Sequence, residues 1–450
     1  MLGRAVCRWA APALLLLAVM PAPQARAQDV KALTRAYNAS GVALYRELAG
    51  APGNIVLSPY SIGSALAMAR AGARGDTERQ MASVLKHSLS RDATDLANGA
   101  LLAILNGYDR TSRPDYCPKA ARWTGTRCEA APEGGGCPLS MELEGGTCVG
   151  RPAGPSAILV AANALLVPKS AGPVAEDYKA TLRDRYAAAV HQDVRADEIN
   201  AWVKTKTAGK IERIVDALDP DAGPVLVNAV YLKADWASDF PAANTREDDF
   251  RLSARERVRV PTMHQDAEFA LVERTGYRAI RLEYTERSLA MLVALPNEGE
   301  GIAQVARRLD AGELAALSRA LQRAPRRPVA VALPRFKATF SADLVAPLQK
   351  AGMRLAFSDD ADFSGMSGPT RAAARLKIAS VKHRAVIEVT EAGTEAAAAT
   401  SVGMVTASAP IERTTPIPFV VDRPFLFLVV DTASGAVLFQ GRIVDPRQRE

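Results

Sequence analysis

The sequence is poor in the residues and motifs from which enzyme active sites are commonly built. It contains only four histidines, His87, His191, His264 and His383, and none of them lies in an H-E-x-x-H motif. No serine lies in a G-x-S-x-G element, and there is no phosphate-binding loop. The histidines are scattered and have no local metal partners. We therefore predict a protein that is not an enzyme and that needs no metal or cofactor.

The sequence also lacks an apolar run long enough to cross a membrane at its N-terminus. Residues 11–20 are apolar but too few to span a bilayer as a helix. Arg4 and Arg8 precede this run, and the small residues Ala25 and Ala27 follow it, which is typical of a cleaved secretory signal. We predict a signal peptide over residues 1–27 and a mature chain of 28–450. The protein is then secreted to the extracellular space or the periplasm, and it does not bind a membrane.

Charge of one sign is not strongly in excess. The net charge of +7 falls to about +4 without the three arginines of residues 1–27, which gives no reason to expect nucleic-acid binding. The densest basic cluster comprises Arg319, Arg323, Arg326 and Arg327. A solvated helix end is the favoured interpretation of this cluster, and a polyanion site is the alternative.

Cysteine is rare except in one segment. Of five cysteines, Cys7 lies in the predicted signal and four lie close together: Cys117, Cys128, Cys137 and Cys148. The surrounding residues 111–155 are rich in proline and glycine and show neither a helical nor a strand period. An even number of cysteines in an exported chain favours two disulfides, for which three pairings exist. A zinc site is the alternative, although close C-x2-C pairs and intervening histidines are missing.

The remaining composition predicts a globular protein of mixed class. Apolar residues make up 48% of the chain and charged residues 23%. Ala157–Val167 and the nearly unbroken apolar run Val225–Leu232 are typical of buried strands. Ser58 precedes a helix that starts at Pro59, and Ser341 is interpreted as the cap of a later helix. Because the helices and long strands do not alternate regularly, we predict an α+β fold.

The most informative segment has the sequence EAGTEAAAAT and covers residues 391–400. It follows a strand-like stretch and contains four consecutive alanines, which could enter a closed sheet without clashing on either face. Gly393 can adopt backbone angles that other residues avoid, and Thr394 tolerates a strand conformation. Such a segment suits a chain that is first exposed and later becomes a buried strand.

This segment resembles the proximal hinge of a serpin reactive loop. The resemblance runs from about residue 30 to the C-terminus, and several other stretches carry it in the family's order: NIVLSPYS at 54–61, LVNAVYLKADW at 226–236, PRF at 334–336, DFSG at 362–365, RPFLF at 423–427 and LFQGR at 438–442. It implies a metastable serpin domain over 28–450, with a large central sheet, two further sheets and about eight to nine helices. It also implies an exposed reactive-centre loop over 391–423. The cysteine-rich residues 111–155 are the main departure from the family pattern.

The resemblance implies suicide inhibition of a serine protease. The protease cleaves the loop, remains bound as an acyl-enzyme, and is displaced when the loop inserts into the central sheet. The covalently bound protease is the expected partner, and the inhibitor is expected to be a monomer. The implied hinge residues are Glu391, Gly393, Thr394, Ala396, Ala397, Ala398 and Ala399. The implied shutter residues, which lie where the sheet opens, are Ser58, Ser61, Asn228 and His383, with Trp236 at the breach where insertion starts.

The resemblance also suggests which bond is cleaved. If Glu391 is the seventeenth residue before the scissile bond, that bond is Ala407–Ser408, with Thr406–Ala407 as the alternative one residue earlier. A small residue at this position favours an elastase-like or subtilisin-like protease. A trypsin-like enzyme would prefer to cleave after Arg413, which lies six residues beyond Ala407. The inserted strand would then be too long to trap the protease. The alternative function is that of a non-inhibitory serpin, acting as a carrier, a chaperone or a binding module built on the cysteine insertion.

Overall fold

The computed structural model describes residues 22–108, 122–124, 128–132, 142–150, 157–219, 223–285, 288–367, 376–394 and 415–447. Within these ranges, the α-helices are α1 Ala22–Leu48, α2 Pro59–Gly72, α3 Gly75–Val84, α4 Arg91–Asn106, α5 Glu176–Tyr186, α6 Ala196–Lys206, α7 Ile302–Arg308, α8 Ala311–Arg323, α9 Val345–Lys350 and α10 Ser364–Ser367. None of the helices in the described part of the chain is long and apolar enough to cross a membrane.

The strands in the same ranges are β1 Ile55–Leu57, β2 Arg122–Trp123, β3 Cys128–Ala130, β4 Glu142–Glu144, β5 Thr147–Gly150, β6 Ala157–Val167, β7 Ala189–Gln192, β8 Val225–Asp235, β9 Arg246–Arg251, β10 Arg257–Arg274, β11 Tyr277–Glu283, β12 Leu289–Pro296, β13 Arg326–Pro334, β14 Phe336–Asp343, β15 Ser380–Val389, β16 Gly393–Thr394, β17 Ile417–Val420, β18 Phe425–Asp431 and β19 Val437–Ile443. They form three sheets.

The main sheet has six strands in the order β14-β15-β16-β8-β6-β7. Its centre is unusual because β15 and β8 are parallel and pair directly from Ser380 opposite Val225 to Val386 opposite Tyr231. Beyond Val386, the two strands separate, and the short β16 lies between them, antiparallel to both. The sheet is thus closed along most of this junction and open at one end.

A second sheet of nine strands packs with the helices around the main hydrophobic core. Eight of its strands follow the order β1-β19-β18-β12-β11-β10-β13-β17, and β9 pairs with β10. Strands β12 and β18 are buried at every position. Helix α2 is also wholly buried, and its small residues allow a close approach to the strands above it. This helix therefore supports the main sheet from inside the molecule.

The front of the main sheet is covered by α6 and the chain that follows it. Ile199 and Val203 of α6 and Ile211 and Val215 of the following segment pack on the sheet near Val386. The Asn200 side chain ties this segment to the helix: its Oδ1 accepts from two backbone N–H groups of the segment, and its Nδ2 donates to a carbonyl there. The cover therefore lies over the parallel junction of β15 and β8.

The third sheet lies in the cysteine-rich residues, where the sequence showed no strand period. Strands β2, β3, β5 and β4 pair in that order, and all their pairings are antiparallel. Cys128 and Cys148 are fully buried. The strands are only two to four residues long, too short for an alternating pattern to be recognised in the sequence.

The predicted fold class is confirmed, with differences in detail. The described residues contain ten α-helices rather than eight or nine, because very short helices such as α10 are present. Strand β6 has the predicted bounds of Ala157–Val167. The predicted cap at Ser341 is wrong: this residue lies in β14, and the next helix starts at Val345. Instead, the Asp343 carboxylate accepts the backbone N–H of Val345.

Candidate functional site

The hinge segment turns sharply after β15 and returns into the sheet as β16. The backbone N–H of Thr390 donates to the carbonyl of Gly393 at 2.8 Å, and the hydroxyl of Thr390 reaches the same carbonyl at 3.2 Å. Thr394 then pairs with Val389 on one side and with Ala234 on the other. Gly393 and Thr394 of the hinge thus lie between β15 and β8 as a short central strand.

Gly393 is required at its position for two reasons. Its φ of +155° is a conformation that residues with a side chain rarely adopt. A Cβ atom built there would also lie 2.2 Å from the carbonyl oxygen of Ala234 in β8. The backbone of the turn can approach β8 this closely only because residue 393 has no side chain.

Trp236 and Tyr284 form an aromatic pair beside β16. Their rings are stacked, with centroids 4.5 Å apart and planes 9° from parallel. The Trp236 indole N–H donates to the carbonyl of Thr390 at 3.0 Å, and its backbone N–H donates to the carbonyl of Ala392. The Tyr284 hydroxyl lies 2.6 Å from the hydroxyl of the fully buried Thr394. This pair therefore holds the turn and satisfies the buried threonine.

Glu391 anchors the turn through an ion pair with Arg335, the residue between β13 and β14. The guanidinium Nε donates to the Glu391 carboxylate at 2.6 Å, and the hydroxyl of Thr245 donates to the same oxygen. Partial burial tends to raise the pKa of Glu391, but these hydrogen bonds outweigh it and leave the pKa below its ordinary value. The carboxylate therefore stays ionised and paired at neutral pH.

A row of buried polar side chains crosses the closed part of the main sheet. His383 of β15 lies opposite Asn228 of β8, which in turn lies opposite Asn163 of β6. His383 Nδ1 is 2.6 Å from Asn228 Oδ1, and Asn228 Nδ2 donates to Asn163 Oδ1 and to Ser61 Oγ at 2.5 Å each. The row thus links three strands to the helix beneath them.

Ser58 supports this row indirectly. It is the N-cap of α2, and its Oγ accepts the backbone N–H of Ser61 at 3.1 Å. Ser61 then offers both its hydroxyl and its backbone carbonyl to Asn228. The four predicted shutter residues are therefore connected, with Ser58 acting through Ser61.

Burial keeps His383 uncharged. The side chain is enclosed in the sheet, and desolvation lowers its pKa from 6.5 to about 3. If Asn228 Nδ2 donates to Ser61 and Asn163, then its Oδ1 is the acceptor, so the neutral imidazole carries its proton on Nδ1. His383 is thus a neutral donor across the junction between β15 and β8.

Several predicted site residues lie outside the described residues: Cys117, Cys137, Ala396, Ala397, Ala398, Ala399, Thr406, Ala407, Ser408 and Arg413. Within the described residues, no group of three or more histidine, cysteine or acidic side chains could hold a metal ion.

Sequence reasoning missed four residues of this site. Asn163 had a usable signal, because an asparagine within an apolar strand needs a buried partner. Arg335 belongs to the family-like stretch PRF at 334–336, but the sequence assigned it no role. Tyr284 and Thr245 had no signal in the sequence, since each meets the hinge only through long-range packing.

Comparison with known proteins agrees with this architecture. A family model described as "Serpin (serine protease inhibitor)" matches residues 35–129 and 140–446. The chain is a serpin. Members of this family are protease inhibitors rather than enzymes in general. The break in the match, residues 130–139, falls within the cysteine-rich insertion, the segment that departs from the family pattern.

Two relatives illustrate the range of the similarity. An uncharacterized serpin-like protein of Thermococcus kodakarensis is 35% identical over 424 residues, covering 93% of this chain and 86% of the relative. The leukocyte elastase inhibitor of Bos taurus is 33% identical over 412 residues, covering 88% of this chain and 93% of the inhibitor.

A solved structure matches along nearly its whole length. The crystal structure of Serpin48, described as a highly specific serpin of the insect Tenebrio molitor, superposes with a TM-score of 0.70 at 26% identity. The match covers 95% of this chain and 99% of that chain. The fold of the chain is therefore the serpin fold.

The neutral His383 predicts a loss of stability in acid. Above pH 6.5, neither the folded nor the unfolded form binds a proton at this site. As the pH falls from 6.5 towards 3, only the unfolded form is protonated, which costs the folded form about 2 kcal/mol at pH 5. We expect His383→Gln to remove this part of the destabilisation, measured as the midpoint of urea unfolding at pH 7.5 and pH 5.

Ser58→Ala is the matched control for this experiment. It removes the helix cap in the same site, at a cost of about 1 kcal/mol, without removing a titrating group. Its unfolding midpoint should fall equally at both pH values. An unchanged acid sensitivity in His383→Gln would show that His383 does not govern this loss.

Proposed function

We propose that this chain is an exported suicide inhibitor of serine proteases that works by insertion of its cleaved loop into the main sheet. The observation that carries the proposal is the position of Gly393 and Thr394, which pair with both β15 and β8 at the open end of their junction. A strand that has entered at one end has a defined path for further entry. The inhibitory names of relatives such as the leukocyte elastase inhibitor support the same function.

The sheet geometry supplies a driving force for insertion. Continuing β16 would replace the single parallel ladder of seven residue pairs between Ser380 and Val386 with two antiparallel ladders. Parallel pairing is slightly less stable per residue than antiparallel pairing, and insertion also adds a second set of hydrogen bonds. Insertion of about 14 residues would move the cleaved end by roughly 45 Å. This distance is sufficient to displace an attached protease and distort its active site.

The buried row is proposed to act as the gate of this junction. Asn228 is tied to Ser61 and Asn163 and would keep those bonds when β15 moves away. Only the contact between His383 and Asn228 crosses the junction within this row. An inserting strand would take the place of that contact, so the gate opens by losing one hydrogen bond rather than the whole network.

The choice of target protease rests on the residue that precedes the scissile bond. With Ala407 before the scissile bond, an enzyme with a shallow specificity pocket, such as elastase or a subtilisin-like protease, is the proposed target. The protein would meet it outside the cytoplasm as a monomer.

Incubation with a panel of proteases tests the inhibitory function directly. Residues 28–450 are incubated with elastase, chymotrypsin, trypsin and subtilisin and then analysed on denaturing gels and by mass spectrometry. We expect a covalent complex with elastase or subtilisin and a released peptide that begins at Ser408. Loop cleavage without a complex for every protease would contradict the proposal and favour a carrier, a chaperone or a binding module.

Thr394→Arg should convert the inhibitor into a substrate. Thr394 is fully buried beside Tyr284, so a charge there would have to be buried for β16 to remain in the sheet. We expect the ratio of inhibitor consumed to complex formed to rise at least about tenfold, while the cleavage site stays the same. Thr394→Val, which keeps the shape without the hydroxyl, is the control and should still form complex.

We also propose that the four cysteines form two disulfides, with Cys128 and Cys148 joined to other cysteines rather than to each other. Cys128 lies opposite Gly150, and Cys148 lies opposite Ala130, so the two are diagonal neighbours about 7 Å apart. A disulfide normally spans no more than about 6.8 Å between Cα atoms, so this separation disfavours a bond between the two. Non-reducing peptide mapping should link each of them to Cys117 or Cys137, and a peptide joining Cys128 to Cys148 would contradict the proposal.

A further inference from the structure

A hollow of about 440 Å³ lies beside the hinge turn, on the side of the main sheet where β14 begins and β15 ends. Its walls come from four parts of the chain: the start of β14, the end of β15, the first half of β10 and the last described residues before the C-terminus. This volume is within the range of small-molecule sites in proteins. The hollow is distinct from the junction that the inserting strand would use.

The inner surface of the hollow is largely apolar. Phe336, Val389 and Val260 lie in its wall, where they are 3%, 1% and 2% exposed. Pro261 and Pro446 complete this surface, and Pro261 lies at the exposed rim. An aliphatic or aromatic group placed here would remove apolar surface from water without needing hydrogen-bond partners.

The basic side chains at the rim of the hollow are mostly paired, with Lys337 the exception among the described residues. Arg335, Lys337 and Arg447 line it, against a single acidic residue, Glu388. Arg335 is paired with Glu391, and Arg447 is paired with Asp445. Lys337 lies opposite Glu388 in the pairing of β14 with β15. It makes no ion pair within the described part of the chain.

We propose that this hollow binds a small amphipathic carboxylate, with its apolar chain against Phe336 and Val389 and its carboxylate between Lys337 and Arg335. The ammonium group of Lys337, which makes no ion pair within the described residues, attracts an anion. The apolar wall favours a hydrocarbon over a sugar or a nucleotide. A medium-chain fatty acid such as decanoate has both features. Its twelve heavy atoms are expected to give a dissociation constant on the order of 100 μM.

The hollow is coupled to the hinge through two residues. Thr390 lines it and also forms the hydrogen bonds that close the turn with Gly393. Arg335 lines it and also holds the Glu391 carboxylate. A bound carboxylate would compete with Glu391 for the guanidinium and so weaken the anchor of the turn. We therefore expect the ligand to slow loop insertion, so that more of the inhibitor is cleaved without trapping the protease.

The binding experiment uses calorimetry on the uncleaved mature chain with decanoate. Decanol and decyltrimethylammonium serve as neutral and cationic compounds with the same chain length. Decanoate should bind at least tenfold more tightly than either. Equal binding of decanol would overturn the role assigned to Lys337 and Arg335.

Three variants test whether decanoate binds in this hollow rather than elsewhere on the protein. Lys337→Ala should weaken decanoate binding about fivefold by removing a charged partner. Pro261→Trp should abolish binding by filling the mouth of the hollow. Lys169→Ala, at an exposed position on a distant surface turn, should bind like the unaltered chain. Identical affinities for Lys337→Ala and Lys169→Ala would overturn the site.

The coupling to the hinge rests on the proposed inhibitory function, whereas binding does not. Saturating decanoate should raise the number of inhibitor molecules consumed per protease trapped by about twofold or more, and should do so less in Lys337→Ala. Binding without any change in this ratio would overturn the coupling. If no protease is trapped even without decanoate, the proposed function fails, and the calorimetric result still decides whether the hollow is a carboxylate site.

Discussion

The parallel contact between β15 and β8 is the feature on which the rest of this structure depends. Two strands that are far apart in sequence meet there without a strand between them, and their hydrogen bonds form the less favourable of the two kinds of ladder. At one end, the chain itself has begun to replace that contact, because β16 pairs with both strands. The strand order therefore allows an arrangement with more hydrogen bonds, in which β16 would extend along the whole junction between β15 and β8.

What holds the closed arrangement is a small set of polar and apolar contacts around the junction. The buried row from His383 to Ser61 joins the strands from within, and α6 with its following segment covers them from the front. At the open end, the Trp236 and Tyr284 pair and the ion pair of Glu391 with Arg335 fix the turn. In the proposed mechanism, these contacts set how readily the junction between β15 and β8 opens, and the two antiparallel ladders set how much free energy is gained when it does.

Sequence patterns predicted the strands and the hinge better than the contacts between them. Ala157–Val167 was bounded correctly because its apolar run is continuous, and Gly393 was singled out because glycine is suited to an unusual backbone angle. The strand β14 was missed, because Ser341 resembles a helix cap when its pairing with β15 is unknown. Tyr284 and Thr245 could not be found either, since their roles depend on residues more than 100 positions away.

The same junction explains why the hinge must combine small size with one buried hydroxyl. Thr394 lies between two strands, is fully buried, and meets the hydroxyl of Tyr284, so a larger side chain would clash and a charged one would lose its hydration. The buried hydroxyls of Thr394 and Tyr284 each need a hydrogen-bond partner, and they satisfy each other. A turn made stable in this way favours the first step of insertion without completing it, since each further step must first separate β15 from β8. In the proposed mechanism, the sheet therefore remains closed until cleavage frees the chain beyond the hinge.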